Sequence, residues 1–298
     1  MTIHFEAGLD SIDLIYIALG GMAAMLVGIF LAKKQARRFA SPNHPTIDQT
    51  EPGQPGLPGV NFFDYGDMRF LHLGTPCVQG SMKISKPFEI HLEYLQRMMA
   101  WLLFTPLDQV HQSHAMQLGL GSGALTKFCH TQLHMPTTAI ELNPQVITTC
   151  RTWFHLPDDN DQLHVVLADA AEAVKRDAWL GKIDVLQIDL YDQDAKEPAL
   201  DHAAFYADCQ QLLTQRGCMV VNVFGSHSNV ESSIEKISHA FKPSCVWSFK
   251  PTTAGNTIVL AFRTSPSVNA NDLLIQAQAI EKRWSLPATK WLKVLAPV

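Results

Sequence analysis

The chain has 298 residues, 47% of them hydrophobic, and a formal net charge of −5 from 28 acidic and 23 basic side chains. That length suffices for one large domain or two small ones, and the acidic balance excludes the basic face that a nucleic-acid binder needs. The six cysteines (Cys77, Cys129, Cys150, Cys209, Cys218 and Cys245) include no C-x-x-C pair, so reduced, mostly buried thiols are expected in place of a disulfide framework or a metal site.

In chain order, residues 14–32 (LIYIALGGMAAMLVGIFLA) carry no charge. As a helix rising about 1.5 Å per residue, this run nearly spans a hydrocarbon core of about 30 Å. Lys33, Lys34, Arg37 and Arg38 follow it, whereas Glu6, Asp10 and Asp13 precede it with no Lys or Arg. A cleaved signal peptide would place its positive charges first. The one-sided charge predicts an N-terminal transmembrane helix within residues 1–40, single-pass in an inner or plasma membrane, with the remaining chain cytoplasmic. The alternative is a buried core helix, or one docked on a partner, in a cytoplasmic protein. Residues 41–59 hold five prolines and three glycines and read as a linker.

Residues 60–110 are expected to form a small β-rich lead-in, with strands at 68–73 (MRFLHL) and 78–83 around a turn at Gly74-Thr75-Pro76, and then a helix. That helix is predicted over 90–104, because Ile90, Tyr94, Leu95, Met98, Met99, Leu102 and Leu103 make an apolar stripe of helical period. His91 and Tyr94, three positions apart, would share a face of it.

Residues 111–298 alternate strand and helix. An apolar strand at 114–118 leads into Gly119, Gly121 and Gly123, and a helix is predicted at 124–132. Strand, glycine turn, helix brings a backbone close to a nucleotide-like ligand, and glycine suits the turn because it tolerates positive φ and has no Cβ. The next strand, 137–142, carries Glu141, placed to accept hydrogen bonds from a ribose diol. Strand 163–168 is followed by Asp169, and strand 183–188 by Asp189 and Asp192. Successive strands ending in carboxylates mark the sheet edge where α/β ligands sit, although Asp169 could equally cap a helix at 170–175. Further helices are predicted at 144–154, 201–213 and 230–241, and a fifth strand at 218–224. The alternation predicts an α/β class, a doubly wound, mostly parallel sheet. Segments 245–250 and 257–263 would close it as an antiparallel edge pair, followed by a helix at 271–283 and a tail. Gly225-Ser226-His227 offers adjacent Ser and His, an arrangement that seldom makes a nucleophile pair.

With these elements placed, the stretch 69–262 resembles the spermidine/spermine synthase (polyamine aminopropyltransferase) family. Gln79, the helix with His91 and Tyr94, the GLGSG loop, IELNPQVI, LADAAEAV, DVLQIDLYD and Ala204-Phe205-Tyr206 follow in the family's order. The resemblance implies a class I methyltransferase-like sheet, no prosthetic group, decarboxylated S-adenosylmethionine as co-substrate and a polyamine as acceptor. It implies that Gly119, Gly121 and Gly123 approach the thioether end of the donor and that Glu141 holds the ribose. It also implies that Asp169 and the Ala170 backbone meet the adenine, and that Gln79 lines the same cleft. Asp189 stands where the family keeps its proton-abstracting aspartate, and Asp192 where it holds the acceptor amine. Ser122 replaces the aspartate that helps hold the donor's amino end, and Gln193 follows Asp192 where the family has proline. Ordinary S-adenosylmethionine therefore remains an alternative donor. Methyl transfer to an undefined acceptor, or nucleoside binding by a membrane-tethered protein without turnover, are the alternative functions. The expected partners are a small-molecule nucleoside donor, an amine acceptor and the membrane through residues 14–32; a homodimer is left open.

Overall fold

The computed structural model describes residues 56–191 and 200–298. The apolar run at 14–32 and Asp192 lie outside the described residues. The membrane location drawn from that run is withdrawn, because among the described residues no helix is long and apolar enough to cross a membrane.

The described chain opens with a three-stranded antiparallel sheet, β1 (Val60–Tyr65), β2 (Met68–Leu73) and β3 (Val78–Lys83), in the order β1-β2-β3. Its inner residues Leu71 and Met82 are buried against Phe154 and Leu156. Arg69 anchors it: Nη1 donates to the Trp153 carbonyl at 2.6 Å, and the guanidinium lies 4.8 Å from the Phe62 ring centroid. Those bonds seat β3 beside the glycine loop.

The single helix expected at 90–104 is two shorter pieces, α1 (Glu93–Arg97) and a 3₁₀ segment Ala100–Phe104. Residues 98–103 are buried on every side, so this half has no solvent face to define an amphipathic helix. Its carbonyls are also used elsewhere: Met98 accepts from Gln187 and Leu102 from Gln276.

The main sheet is built from β4 (Ala115–Leu118), β5 (Thr137–Glu141), β6 (Leu163–Leu167), β7 (Ile183–Ile188), β8 (Leu213–Phe224), β9 (Val246–Phe249), β10 (Asn256–Phe262) and β11 (Leu295–Pro297). The order is β11-β9-β10-β8-β7-β4-β5-β6. The neighbours from β6 to β8 pair in parallel, and β8-β10, β10-β9 and β9-β11 are antiparallel. The central strands are near-continuous apolar runs because both faces are covered. One face carries α1, α2 (Ala124–Lys127, continued by a π turn over Phe128–Gln132), α3 (Pro144–Trp153) and, later in the chain, two more helices. The other carries α4 (Ala170–Ala173), α5 (Ala203–Leu212) and α6 (His227–Phe241). The last helices are α7 (Ala270–Trp284) and α8 (Ala288–Trp291). The expected tail thus contributes α8 and the edge strand β11; three paired residues and two prolines are too short a signal to read from sequence. The fifth strand is longer than its apolar core: it begins at Leu213, which pairs with Ile183, and the register shifts before Cys218 pairs with Val185.

Local chemistry sets several boundaries. Asn143 accepts from the Gln145 N–H at 2.9 Å and Pro144 begins α3. Asp169 caps α4 and Ser226 caps α6. The Ser226 role and the exposed His227, paired with Glu231, agree with the sequence argument against a nucleophile pair.

Lys127, 1% exposed at the end of α2, donates to the Phe154 carbonyl at 2.6 Å and lies 3.4 Å from Met82 Sδ. Beside it the Cys150 thiol donates to Gly121 O at 3.0 Å. Burial pushes the ammonium down from 10.5 to about 8. Between those values the unfolded chain binds more protons than the folded one, so this group makes stability rise with pH across that window. Lys127→Met is expected to abolish that rise, worth roughly 3 kcal/mol between pH 8 and 10.5. Urea unfolding of both proteins across the window checks it; parallel pH curves would show that the buried amine does not titrate there.

Candidate active site at the switch point of the sheet

From β4 the chain proceeds through β5 and β6 to one side of the sheet and through β7 and β8 to the other. The crevice outside the carboxyl ends of β4 and β7 is therefore the switch point, where open α/β sheets bind ligands. Gly119 leaves β4 with φ +88°, and a Cβ there would lie 2.4 Å from the Asp189 carbonyl oxygen. The Asp189 N–H donates to Leu118 O at 3.0 Å, so the two strand ends stay joined up to the loop. Gly123 (φ +69°) starts α2, and its carbonyl accepts from the Lys127 N–H at 2.8 Å. On the other side β3 presses on the loop. A Cβ on Gly80 would come 2.7 Å from Ser122, and one on Gly121 3.2 Å from the Gln79 carbonyl.

Two carboxylates organise this edge. Glu141, at the end of β5, accepts from the Leu120 N–H at 3.0 Å on one oxygen and from the Asn143 N–H at 2.8 Å on the other. It ties the glycine loop to its own strand. Burial raises its pKa, and the backbone bonds work against that rise. Asp189 lies in the cleft itself. Its Oδ1 accepts from Asn222 Nδ2 at 2.8 Å and its Oδ2 from the Tyr94 hydroxyl at 3.2 Å. Behind it Asn256 Nδ2 donates to Asn222 Oδ1 at 3.0 Å, and the Tyr191 hydroxyl donates to the Asn222 carbonyl at 2.8 Å. Desolvation raises the Asp189 pKa above its ordinary value, against the two hydrogen bonds, and pushes the Tyr94 phenol well above its usual value. A carboxylate so placed can take a proton from a cation that enters the cleft.

No family model matches the chain. A polyamine aminopropyltransferase of Chromobacterium violaceum is 32% identical to it over 241 residues, which cover 80% of this chain and 87% of that protein. Another, from Neisseria meningitidis, is 34% identical over 224 residues, covering 75% and 83%. The chain belongs to the polyamine aminopropyltransferase family. A solved spermidine synthase in complex with the transition-state analogue AdoDATO shares the fold, with a TM-score of 0.62 at 16% identity over 81% of this chain and 84% of that one. The family and the transferase class expected from the sequence segments are borne out.

In this family member the cleft is lined by Gln79, Gly80, Tyr94, the glycine loop and Asp189. Glu141 joins it through Leu120. Asp169 and the Ala170 that follows it stand one strand further along, at the end of β6. Asp169 accepts from the Ala171 N–H at 2.7 Å, so the capping reading holds for one of its oxygens. His91 is exposed ahead of α1, and of the pair expected to share a face only Tyr94 reaches Asp189. Ser122 is buried and donates to the Ser81 carbonyl at 3.1 Å, turned towards β3.

The residues that sequence reasoning missed are Asn222, Asn256 and Tyr191. Asn222 did carry a signal: it is the one polar residue inside the apolar run 218–224. A larger depression, lined by Thr105, Asp184, Arg216 and Pro266 among others, lies at the opposite end of β7. The Asp184 oxygens there are taken by the His114 N–H and the Thr214 hydroxyl, so its carboxylate serves the fold.

Proposed function

We propose that this enzyme moves the aminopropyl group of decarboxylated S-adenosylmethionine to a polyamine, with Asp189 as proton acceptor. The observation that carries the assignment is the part-buried Asp189 carboxylate at the switch point, packed beside Gly119 and held between Asn222 and Tyr94. A protonated amine cannot attack until it loses a proton. Asp189, desolvated and therefore more basic than an ordinary carboxylate, would take that proton and orient the nitrogen lone pair. The nitrogen then bonds to the carbon next to the sulfonium as the C–S bond breaks, and its electron pair leaves on sulfur as a neutral thioether. The sulfonium makes its own leaving group, so positioning supplies most of the remaining acceleration.

Gly119, Gly121 and Gly123 would meet the thioether end of the donor, and Glu141 would hold the ribose with the lone pairs its backbone bonds leave. Asp169 and Ala170 would meet the adenine, Gln79 would line the donor cleft, and Asp192 would orient the acceptor amine. Acidic walls attract a cationic acceptor.

One observation favours a second reading. Ser122 stands where the family keeps an acidic residue for the donor's amino end, and its hydroxyl is spent on Ser81. Ordinary S-adenosylmethionine, with methyl transfer, then competes with the decarboxylated donor. Mass spectrometry after incubation with each donor and a panel of amines decides. The first reading expects an aminopropylated amine and methylthioadenosine from the decarboxylated donor. A methylated product would replace it with the second, and no product from either donor would reject both.

The nucleoside end is testable separately. Glu141→Gln would turn an amide NH₂ towards one of the two backbone N–H groups that the carboxylate now accepts from. Calorimetry with methylthioadenosine is expected to show binding weakened by about 1.5–3 kcal/mol, the cost of charge-assisted bonds. Wild-type affinity in the variant would remove Glu141 from the pocket.

A further inference from the structure

Two glutamines stand in the middle of the central strands. Gln117 of β4 and Gln187 of β7 are each 1% exposed and pair directly across the parallel ladder. A buried amide is costly unless its polar atoms find partners, and these do. Gln117 Nε2 donates to Gln187 Oε1 at 2.9 Å, and the Thr126 hydroxyl donates to Gln117 Oε1 at 3.3 Å. Gln187 Nε2 donates to the Met98 carbonyl at 3.1 Å, and the Cys129 thiol lies 3.6 Å from Gln187 Oε1.

The two amides, Thr126 and Met98 each stand close to a group of the site. Gln117 is two residues before Gly119, and Gln187 two before Asp189. Thr126 lies in the first turn of α2, directly after Gly123. Met98 follows Tyr94 by one helical turn, and its N–H donates to the Tyr94 carbonyl at 2.9 Å. The amides thus join the segments that carry the glycine loop, the carboxylate and the phenol. Stability does not call for them: apolar side chains of similar size would fill the space with nothing to satisfy, and such exchanges are commonly neutral or stabilising.

We infer that Gln117 and Gln187 are positioning residues, a buried amide clamp that holds Asp189, Tyr94 and the glycine loop in the mutual register that proton transfer requires. The inference rests on the proposed role of Asp189. It acts through distance: the Tyr94–Asp189 bond is already 3.2 Å long, so a small slip between α1 and β7 breaks it. A mispositioned general base lowers the rate of the chemical step and leaves ligand affinity nearly untouched.

The test is the full-length paired variant Gln117→Met/Gln187→Met, which removes both amides and keeps their bulk. The thermal midpoint should stay within about 4 °C of wild type, the change expected for about 1 kcal/mol. Methylthioadenosine affinity should stay within about threefold, while kcat for transfer falls about tenfold or more with KM little changed. A folded paired variant with wild-type kcat would overturn the inference. If the pair does not fold, Thr126→Val cuts the α2 arm alone, and a kcat lowered about threefold is expected; an unchanged kcat would again overturn it. Should the wild-type chain transfer nothing, the activity reading has failed by itself. Carbon-13 titration of the Asp189 carboxyl, assigned with Asp189→Asn, then decides. A midpoint displaced by about half a pH unit or more in the paired variant supports the clamp, and an unmoved one rejects it.

Discussion

Asp189→Asn is expected to lower aminopropyl transfer by roughly 10²–10⁴, the usual range for a lost general base, while the folded protein becomes more stable. Both effects come from one placement. The carboxylate sits in a desolvated cleft that raises its pKa, held by Asn222 and Tyr94. An amide of the same shape can still accept from Asn222, yet it cannot take a proton, and it removes a partly buried negative charge. At neutral pH the thermal midpoint of the variant should rise by about 2–4 °C, the change expected for about 1 kcal/mol in a chain of this size.

The pH dependence follows from the direction of the shift. A carboxyl whose pKa is raised by folding adds stability below its unfolded value, near the ordinary aspartate range, and that contribution is lost as pH rises through the raised folded value. The stability advantage of Asp189→Asn should therefore shrink as the solution is made acid. Wild-type turnover should fall over the same acid limb, because the base must be ionised to act. Denaturant titrations and kcat/KM profiles over one pH series measure both. A variant that keeps wild-type turnover would move the base elsewhere in the cleft. A variant less stable at neutral pH would mean that the carboxylate contributes more as a hydrogen-bond acceptor than its desolvation costs.

Gly119→Ala should be the most damaging single substitution in the loop. Its φ of +88° is strained for any L side chain, and its Cβ would lie 2.4 Å from the Asp189 carbonyl oxygen, which is backbone and cannot step aside. The loop must then move off β7, which separates the glycine loop from the carboxylate. Urea unfolding is expected to show a loss of about 3 kcal/mol or more. Methylthioadenosine affinity should fall by about 100-fold or more, the equivalent of about 3 kcal/mol. Gly121→Ala is the internal comparison. Its φ is +51° and its Cβ would stand 3.2 Å from the Gln79 carbonyl, so a small adjustment of β3 relieves it and its cost should be clearly smaller. Equal effects at the two positions would mean that the contact with Asp189 is not what makes Gly119 necessary.

Much of this site was legible because its signals are local. The strand ends with their carboxylates, the three glycines that open α2 and the Asn143-Pro144 start of α3 are each decided within a few residues by backbone sterics and capping. They were sufficient to predict a doubly wound sheet and to place Gly119, Glu141, Asp169 and Asp189 along one edge of it. The apolar run 14–32 shows the limit of such reasoning, since length and flanking charge describe a segment without its surroundings.

What only the tertiary structure decided depends on partners far apart in the chain. Tyr94 meets Asp189 across 95 positions, and Asn222 reaches it across 33. Ser122 spends its hydroxyl on β3, 41 positions away, and the tail becomes β11 only because β9 offers an unpaired edge. The helix expected at 90–104 breaks because its carbonyls are claimed by Gln187 and Gln276. In each case local sequence permits several conformations of similar energy, and the choice falls to the hydrogen bonds and burial that another segment supplies. The strand ends and the glycine loop were thus written locally, and the contacts that hold Asp189 were set by packing.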